Sequence, residues 1–251
     1  MLPISANVPQ WTPFLPAFFT ATSAVSLTGL VVEDTGTYWT PFGQVVIITL
    51  IQLGGLGIMS LASLSGMLLT GRISFKARRT SAAEGRAVVS GGIRRALLLT
   101  LVMTLICEAI VAVFIGVRLA TEHGVAPGRA VWEGIFHAIS AFNNAGFSTY
   151  SDSVVSFAAD AWILLPLACA LITGGLGYPM LAEFVRRARA RLTRWRGGTP
   201  RIHRMSMTAR MTLGATAFLL LSGTVVFFLS EGSGVLHGMP LGQKLINAFF
   251  M

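Results

Sequence analysis

Phe19-Thr-Ala-Thr-Ser23-Ala-Val-Ser-Leu-Thr-Gly29 and Phe136-His-Ala-Ile-Ser140-Ala-Phe-Asn-Asn-Ala-Gly146 are copies of one another. After a similar interval each is followed by a second match, Leu53-Gly-Gly-Leu-Gly57 and Thr173-Gly-Gly-Leu-Gly177. Two matches in the same order mark a long tandem repeat. Each copy sets a small, polar run ending in glycine between apolar segments, which offers a backbone-lined site inside a membrane. Such a site suits an ion better than an organic substrate.

Composition supports the membrane setting. Hydrophobic residues are 53% of the 251, charged ones 12%, and mean hydropathy is +0.70, a balance foreign to soluble domains. The net charge of +9 does not describe a nucleic-acid surface, because seven of the 19 Lys and Arg lie in 72–95 and nine in 186–210. Each cluster follows a long apolar run, as in cytoplasmic loops under the positive-inside rule, where it can also meet anionic lipid. No nucleic-acid partner is expected. Cys107 and Cys169 lie in apolar spans and say little about redox compartment. The amino terminus lacks the charged start of a cleavable signal.

Four runs reach the roughly 20 residues a bilayer needs: 43–70, 96–117, 161–184 and 211–230. Only Glu108 breaks an apolar core among them. With the basic clusters inside, 43–70 runs inward, 96–117 outward, 161–184 inward and 211–230 outward. The loops 118–134 and 151–160, carrying Glu122, Glu133, Asp152 and Asp160, are then external. Residues 135–150 begin and end outside, so they must re-enter and leave by the same face. A helix from Ala130 to Ala141 would reach about halfway through the hydrocarbon at 1.5 Å per residue, and Asn143 to Gly146 would climb back extended. By analogy with its copy, 11–32 is a re-entrant segment with a short capped helix. Irregular backbone at that depth is tolerated only when buried in protein or facing water. The unpaired carbonyls ending a descending half-helix, with the negative end of its dipole, favour a cation, and the return strand can replace a hydration shell with carbonyls.

The string Thr20-Ala-Thr-Ser-Ala-Val-Ser-Leu-Thr-Gly-Leu30, with Asp34-Thr-Gly-Thr-Tyr38, Thr40-Pro-Phe-Gly-Gln44 and Ile51-Gln-Leu-Gly-Gly-Leu-Gly-Ile-Met59, resembles the first repeat of the TrkH/KtrB potassium transporters. Ser140-Ala-Phe-Asn-Asn-Ala-Gly-Phe147 resembles their second. The resemblance implies an all-α integral membrane fold of tandem span/pore-loop/span repeats, of potassium-channel type, in pseudo-fourfold arrangement around one ion path. On this division 11–71 is repeat 1 without its first span, 72–95 a basic cytoplasmic loop, 96–185 repeat 2, 186–210 a second basic loop, and 211–251 the start of repeat 3. Two further filter loops and the gating loop of the third repeat are then expected beyond residue 251. The filter would be Ser26, Leu27, Thr28 and Gly29 with Asn143, Asn144, Ala145 and Gly146, binding through backbone carbonyls; glycine at the fourth position favours potassium, with sodium as the alternative ion. The resemblance further implies a homodimer in the bacterial plasma membrane, regulated by a cytoplasmic ring of nucleotide-binding KtrA/TrkA-like subunits. It implies no enzyme activity and no cofactor beyond the transported ion.

Several residues keep two readings. The two filter glycines could instead only allow tight helix packing, while Gly54, Gly55, Gly57, Gly174, Gly175 and Gly177 favour packing over a hinge. Pro179 is expected to bend its span by clashing with the Gly175 carbonyl. Glu108 is either a functional intramembrane acid or a hydrogen-bond partner of pore-helix backbone. His137 and Ser140, one turn apart, lack the acid partner and oxyanion motif of a hydrolase. The alternative for the whole chain is a non-conducting membrane fragment or scaffold that dimerises and docks regulators.

Overall fold

A computed structural model describes residues 3–7, 11–71, 90–195, 205, 207–232 and 234–251. Within the helices, the side chains of 58–71, 90–99, 178–179, 182, 189 and 208 are not described. The described residues are helical, without a strand; one isolated antiparallel bridge joins Ala6 to Trp39. The helices are α1 (Phe14–Ser26), α2 (Pro41–Gly71), α3 (Ser90–Thr121), α4 (Pro127–Phe142), α5 (Ala161–Trp195), α6 (Met207–Glu231) and α7 (Leu241–Phe250).

The short helices α1, α4 and α7 start alike. Pro13, Ala126 and Pro240 precede them in extended backbone, with ψ of 149°, 136° and 149°. In α4 the proline is Pro127 at the first helical position, where its missing N–H costs nothing. None of the three has a side-chain cap, so the capped start expected of the first re-entrant helix is absent. Its hydroxyls turn instead to other tasks, such as Ser26 Oγ bonding the Thr22 carbonyl.

Among the described residues two helices are long and apolar enough to cross a bilayer, α3 over Thr100–Thr121 and α6 over Ala209–Glu231. Within their described side chains, α2 and α5 show apolar stretches over Pro41–Gly57 and Ala161–Gly177. The basic regions are also less loop-like than expected. Arg94 and Arg95 belong to α3, Arg186 to Arg194 continue α5, and Arg210 lies in α6. The rest of the first basic loop, 72–89, and 196–204 of the second lie outside the described residues.

Two cores form. Val111, Ile115 and Leu119 of α3 pack with Ala138 and Phe142 of α4 and with Ile163 and Leu167 of α5. Ala24 of α1 and Ile47, Ile48 and Ile51 of α2 make the other, and Phe136, Ala145 and Phe147 from the second unit insert into it. Burying an aromatic ring this completely contributes roughly 2–3 kcal/mol, so Phe136, with no exposed surface, ties the two units together. By contrast α6 turns Phe218, Leu221 and Leu229 outward, a surface suited to lipid or to further helices.

Candidate ion site

α2 and α4 run side by side in the same direction. Near their starts Trp132 Nε1 donates to Gln44 Oε1 at 2.8 Å, and eleven residues later on each helix Gly55 abuts the Asn143 side chain. The ends of the short helices therefore lie about 16 Å below Gln44, at 1.5 Å per residue, well inside the 31-residue α2. α3 runs antiparallel, with Ala112 and Gly116 against Gly134 and Glu108 level with Asn143.

Both copied stretches end with the same backbone. Leu27 and Asn144 have φ of 59° and 56°, and Gly29 and Gly146 have φ of 72° and 74°. The Thr28 amide donates to the Ser23 carbonyl at 3.1 Å and the Ala145 amide to the Ser140 carbonyl at 2.8 Å. These are closures of Schellman type, satisfying carbonyls that a helix end leaves open. The side chains at matching places differ (Ser26 and Asn143, Leu27 and Asn144, Thr28 and Ala145), so the shared path belongs to the backbone.

The chain then reverses along α4. Ser140 Oγ donates to the Phe147 carbonyl at 2.6 Å, His137 Nε2 meets Ser148 Oγ at 3.0 Å, and Thr149 Oγ1 hydrogen-bonds Glu133 Oε2. Glu133, counted by the sequence in the external segment 118–134 and within the helix expected from Ala130, is buried in α4 and braces the return strand. Its side chain lies on the α4 face that meets the return strand, where Thr149 Oγ1 reaches it. His137 and Ser140 each bond the return strand instead of one another. In the first unit only Thr28 Oγ1 to Ser23 Oγ, at 2.9 Å, does comparable work.

The two loops touch. A Cβ on Gly29 would stand 2.7 Å from the Ala145 carbonyl oxygen and 3.2 Å from Gly146 Cα, and one on Gly146 would stand 3.3 Å from Gly29 Cα. Of the eight candidate filter residues, 26–29 and 143–146 therefore form two adjoining loops. Thr28, Asn144 and Gly146 remain exposed and Ala145 is buried. Below them, Gly54 lies against the Val25 carbonyl and Gly174 against the Phe142 carbonyl. Each is the matching residue of its copy, so these glycines serve close packing. Among the described residues no atom outside its own helix turn is within 4 Å of a Cβ on Gly57, whereas Gly177 has φ 74° and ψ 167° and breaks α5. The clash expected of Pro179 falls on a side chain outside the described residues.

Glu108 is 5% exposed. Its carboxylate accepts from Gln52 Nε2 and Asn143 Nδ2, each at 3.2 Å, so its partners are side chains and not pore-helix backbone. Among the described residues no three His, Cys, Asp or Glu side chains group to hold a metal ion.

On the other side of the loops, Asp34 joins the units. Its Oδ1 accepts from the amides of Gly36 and Thr37 at 2.7 and 3.0 Å, and bonding from the Ser151 hydroxyl, first, then from these amides holds its pKa below the ordinary value. Asp160 fastens the loop before α5: Arg118 Nε donates at 2.8 Å and His123 Nε2 lies at 3.0 Å. Burial alone would raise the Asp160 pKa, but the bonds from Arg118, His123 and the Trp162 amide bring it below 3.8. A carboxyl with a depressed folded pKa stabilises above its unfolded value, about 3.9, and loses that contribution as pH falls through the lower folded value. The melting temperature in detergent should therefore fall as pH drops below about 5, and Asp160→Asn should lower it at neutral pH while flattening that fall.

Sequence comparison supplies the remaining findings. The profile of the TrkH family, described as cation transport protein, matches residues 4–251. The chain is 35% identical over 252 residues to the Ktr system potassium uptake protein B of Bacillus subtilis (strain 168), covering 100% of this chain and 53% of that protein. It is 36% identical over 239 residues to the protein of the same name from Vibrio alginolyticus, covering 93% and 49%. It is 31% identical over 251 residues to the potassium/sodium uptake protein NtpJ of Enterococcus hirae, covering 100% and 52%. The chain thus spans about half the length of these curated relatives.

Proposed function

The chain belongs to the TrkH cation transport protein family, and on that premise we propose that it supplies two adjoining quarters of a potassium-selective filter in a membrane uptake system. Ser26 to Gly29 and Asn143 to Gly146 provide the ion-binding carbonyls. The observation that carries this reading is the contact between Gly29 and Gly146, two glycines of near-identical φ meeting at main-chain distance. A dehydrated cation needs several carbonyl dipoles at once, and two loops joined at backbone level offer them in a way that separate loops do not.

Residues 11–71 and 96–185 act as successive pore-loop units, 211–251 opens a third, and the whole ion path has pseudo-fourfold symmetry. Short helices with matching starts support this, since α7 follows Pro240 as α1 follows Pro13. Potassium is the favoured ion because two of the relatives are named potassium uptake proteins; the potassium/sodium name of the third keeps sodium as the competing ion. The naming of a Ktr system supports regulatory partners, which we take to be a cytoplasmic nucleotide-binding ring docked on a homodimer. The activity is transport without covalent chemistry.

The test is potassium uptake by cells lacking their own potassium transporters, given the transporter that carries this chain. Growth and Rb+ uptake at low potassium are expected. Absence of uptake from correctly inserted protein would favour a non-conducting scaffold.

A further inference from the structure

Asn143 sits in a socket made by two other helices. Its Nδ2 lies 3.0 Å from Gln52 Oε1 on α2, 3.2 Å from Glu108 Oε1 on α3 and 2.9 Å from its own helix at the Ile139 carbonyl. Its Oδ1 lies where a Cβ on Gly55 would be. Gln52 Nε2 closes the ring on Glu108 Oε2 at 3.2 Å. The first unit's matching residue, Ser26, is exposed and bonds back to Thr22 of its own helix. The second loop is thus held from outside at its first residue, by a carboxylate and an amide at membrane depth.

We infer that Glu108, with Gln52 and Gly55, is a positioning residue for ion selectivity, acting through Asn143 on the loop that ends at Gly146; this rests on the filter reading above. Two observations and one general consideration carry it. Asn143 is the last αR residue of α4, with φ −80° and ψ 0°, so its rotation directs Asn144, Ala145 and Gly146. Gly146 touches Gly29, so a displaced second loop displaces the first. Finally, a buried carboxylate adds little stability over a well-packed apolar residue, while an ionisable group inside a span points to function through its named partner. Holding binding groups to within about 0.5 Å requires such a supporting layer.

The experiment compares potassium and sodium uptake by the transporter carrying Glu108→Gln, with protein in the membrane measured in parallel. Glu108→Gln keeps the volume but gives Asn143 an amide in place of a carboxylate. The potassium-over-sodium ratio is expected to fall roughly fivefold, the factor set by one weakened hydrogen bond to a charged group, with potassium uptake itself retained. Adding Gln52→Glu returns a carboxylate to the socket and should restore part of the ratio, which a general packing defect would not. Where Glu108→Gln does not accumulate, Gln52→Met is the second variant, and the same loss of ratio is expected. A wild-type ratio in the accumulating variants overturns the inference but leaves the filter reading intact. The filter reading fails separately, if Gly29 and Gly146 variants also keep the wild-type ratio.

Discussion

Gly29→Ala is expected to abolish potassium uptake by the transporter that carries this chain, and Gly146→Ala to weaken uptake or broaden ion choice. Both positions have φ above 70°, where any L side chain is strained by about 1–3 kcal/mol. The difference between them is what the added methyl would meet. At Gly29 it would lie 2.7 Å from the Ala145 carbonyl oxygen, a main-chain atom that cannot turn aside without moving the second loop. At Gly146 the nearest atom is Gly29 Cα at 3.3 Å, which needs a shift of only a few tenths of an ångström. Bulkier residues at 146 should remove that distinction. Rb+ uptake with Na+ competition, normalised to protein in the membrane, checks the ranking; equal and unchanged uptake and selectivity in both variants would remove these glycines from the ion path.

Gly54→Val and Gly174→Val should prevent the protein from reaching a folded state in the membrane. At each site a Cβ would fall on a carbonyl of the short helix, Val25 for Gly54 and Phe142 for Gly174. These carbonyls belong to the last turn of α1 and α4, so the side chain cannot be accommodated without driving the helix end and its loop away from α2 or α5. Overpacking a core costs about 1–3 kcal/mol when side chains can adjust, and more is expected where main chain is struck. Gly57→Val, whose Cβ would meet no described atom outside its own helix turn within 4 Å, is the control and should accumulate normally. Detergent gel filtration reads all three. Normal profiles for the Gly54 and Gly174 variants would contradict the packing.

Much of this arrangement was legible in the sequence because the duplication displays it twice. The spacing from Ser23 to Gly29 and from Ser140 to Gly146 is the same, and so is the backbone path. Glycine at the end of a polar run is a local signal, and so is a proline opening a short helix. Composition pointed to the membrane setting because hydropathy is a sum over residues, while the all-α repeat fold came from the resemblance. What the sequence hid depends on register between helices. Glu133 reads as an outward acid because nothing local says that its face of α4 meets the returning strand at Thr149, and the break of α5 falls at Gly177, whose positive φ no local pattern announces. The Gln52, Glu108 and Asn143 ring joins residues up to 91 positions apart, and no periodicity announces it. Glu108 alone was visible, as a charge in an apolar run, but its partners became apparent only once α2, α3 and α4 lay together.

Anomalous scattering from Rb+ or Tl+ bound to the transporter that carries this chain tests the shared filter most directly. A peak is expected within carbonyl-coordination distance of both Ser26 to Gly29 and Asn143 to Gly146. A peak beside only one loop, or an ion bound at Glu108 with none between Gly29 and Gly146, would contradict a filter built from the pair.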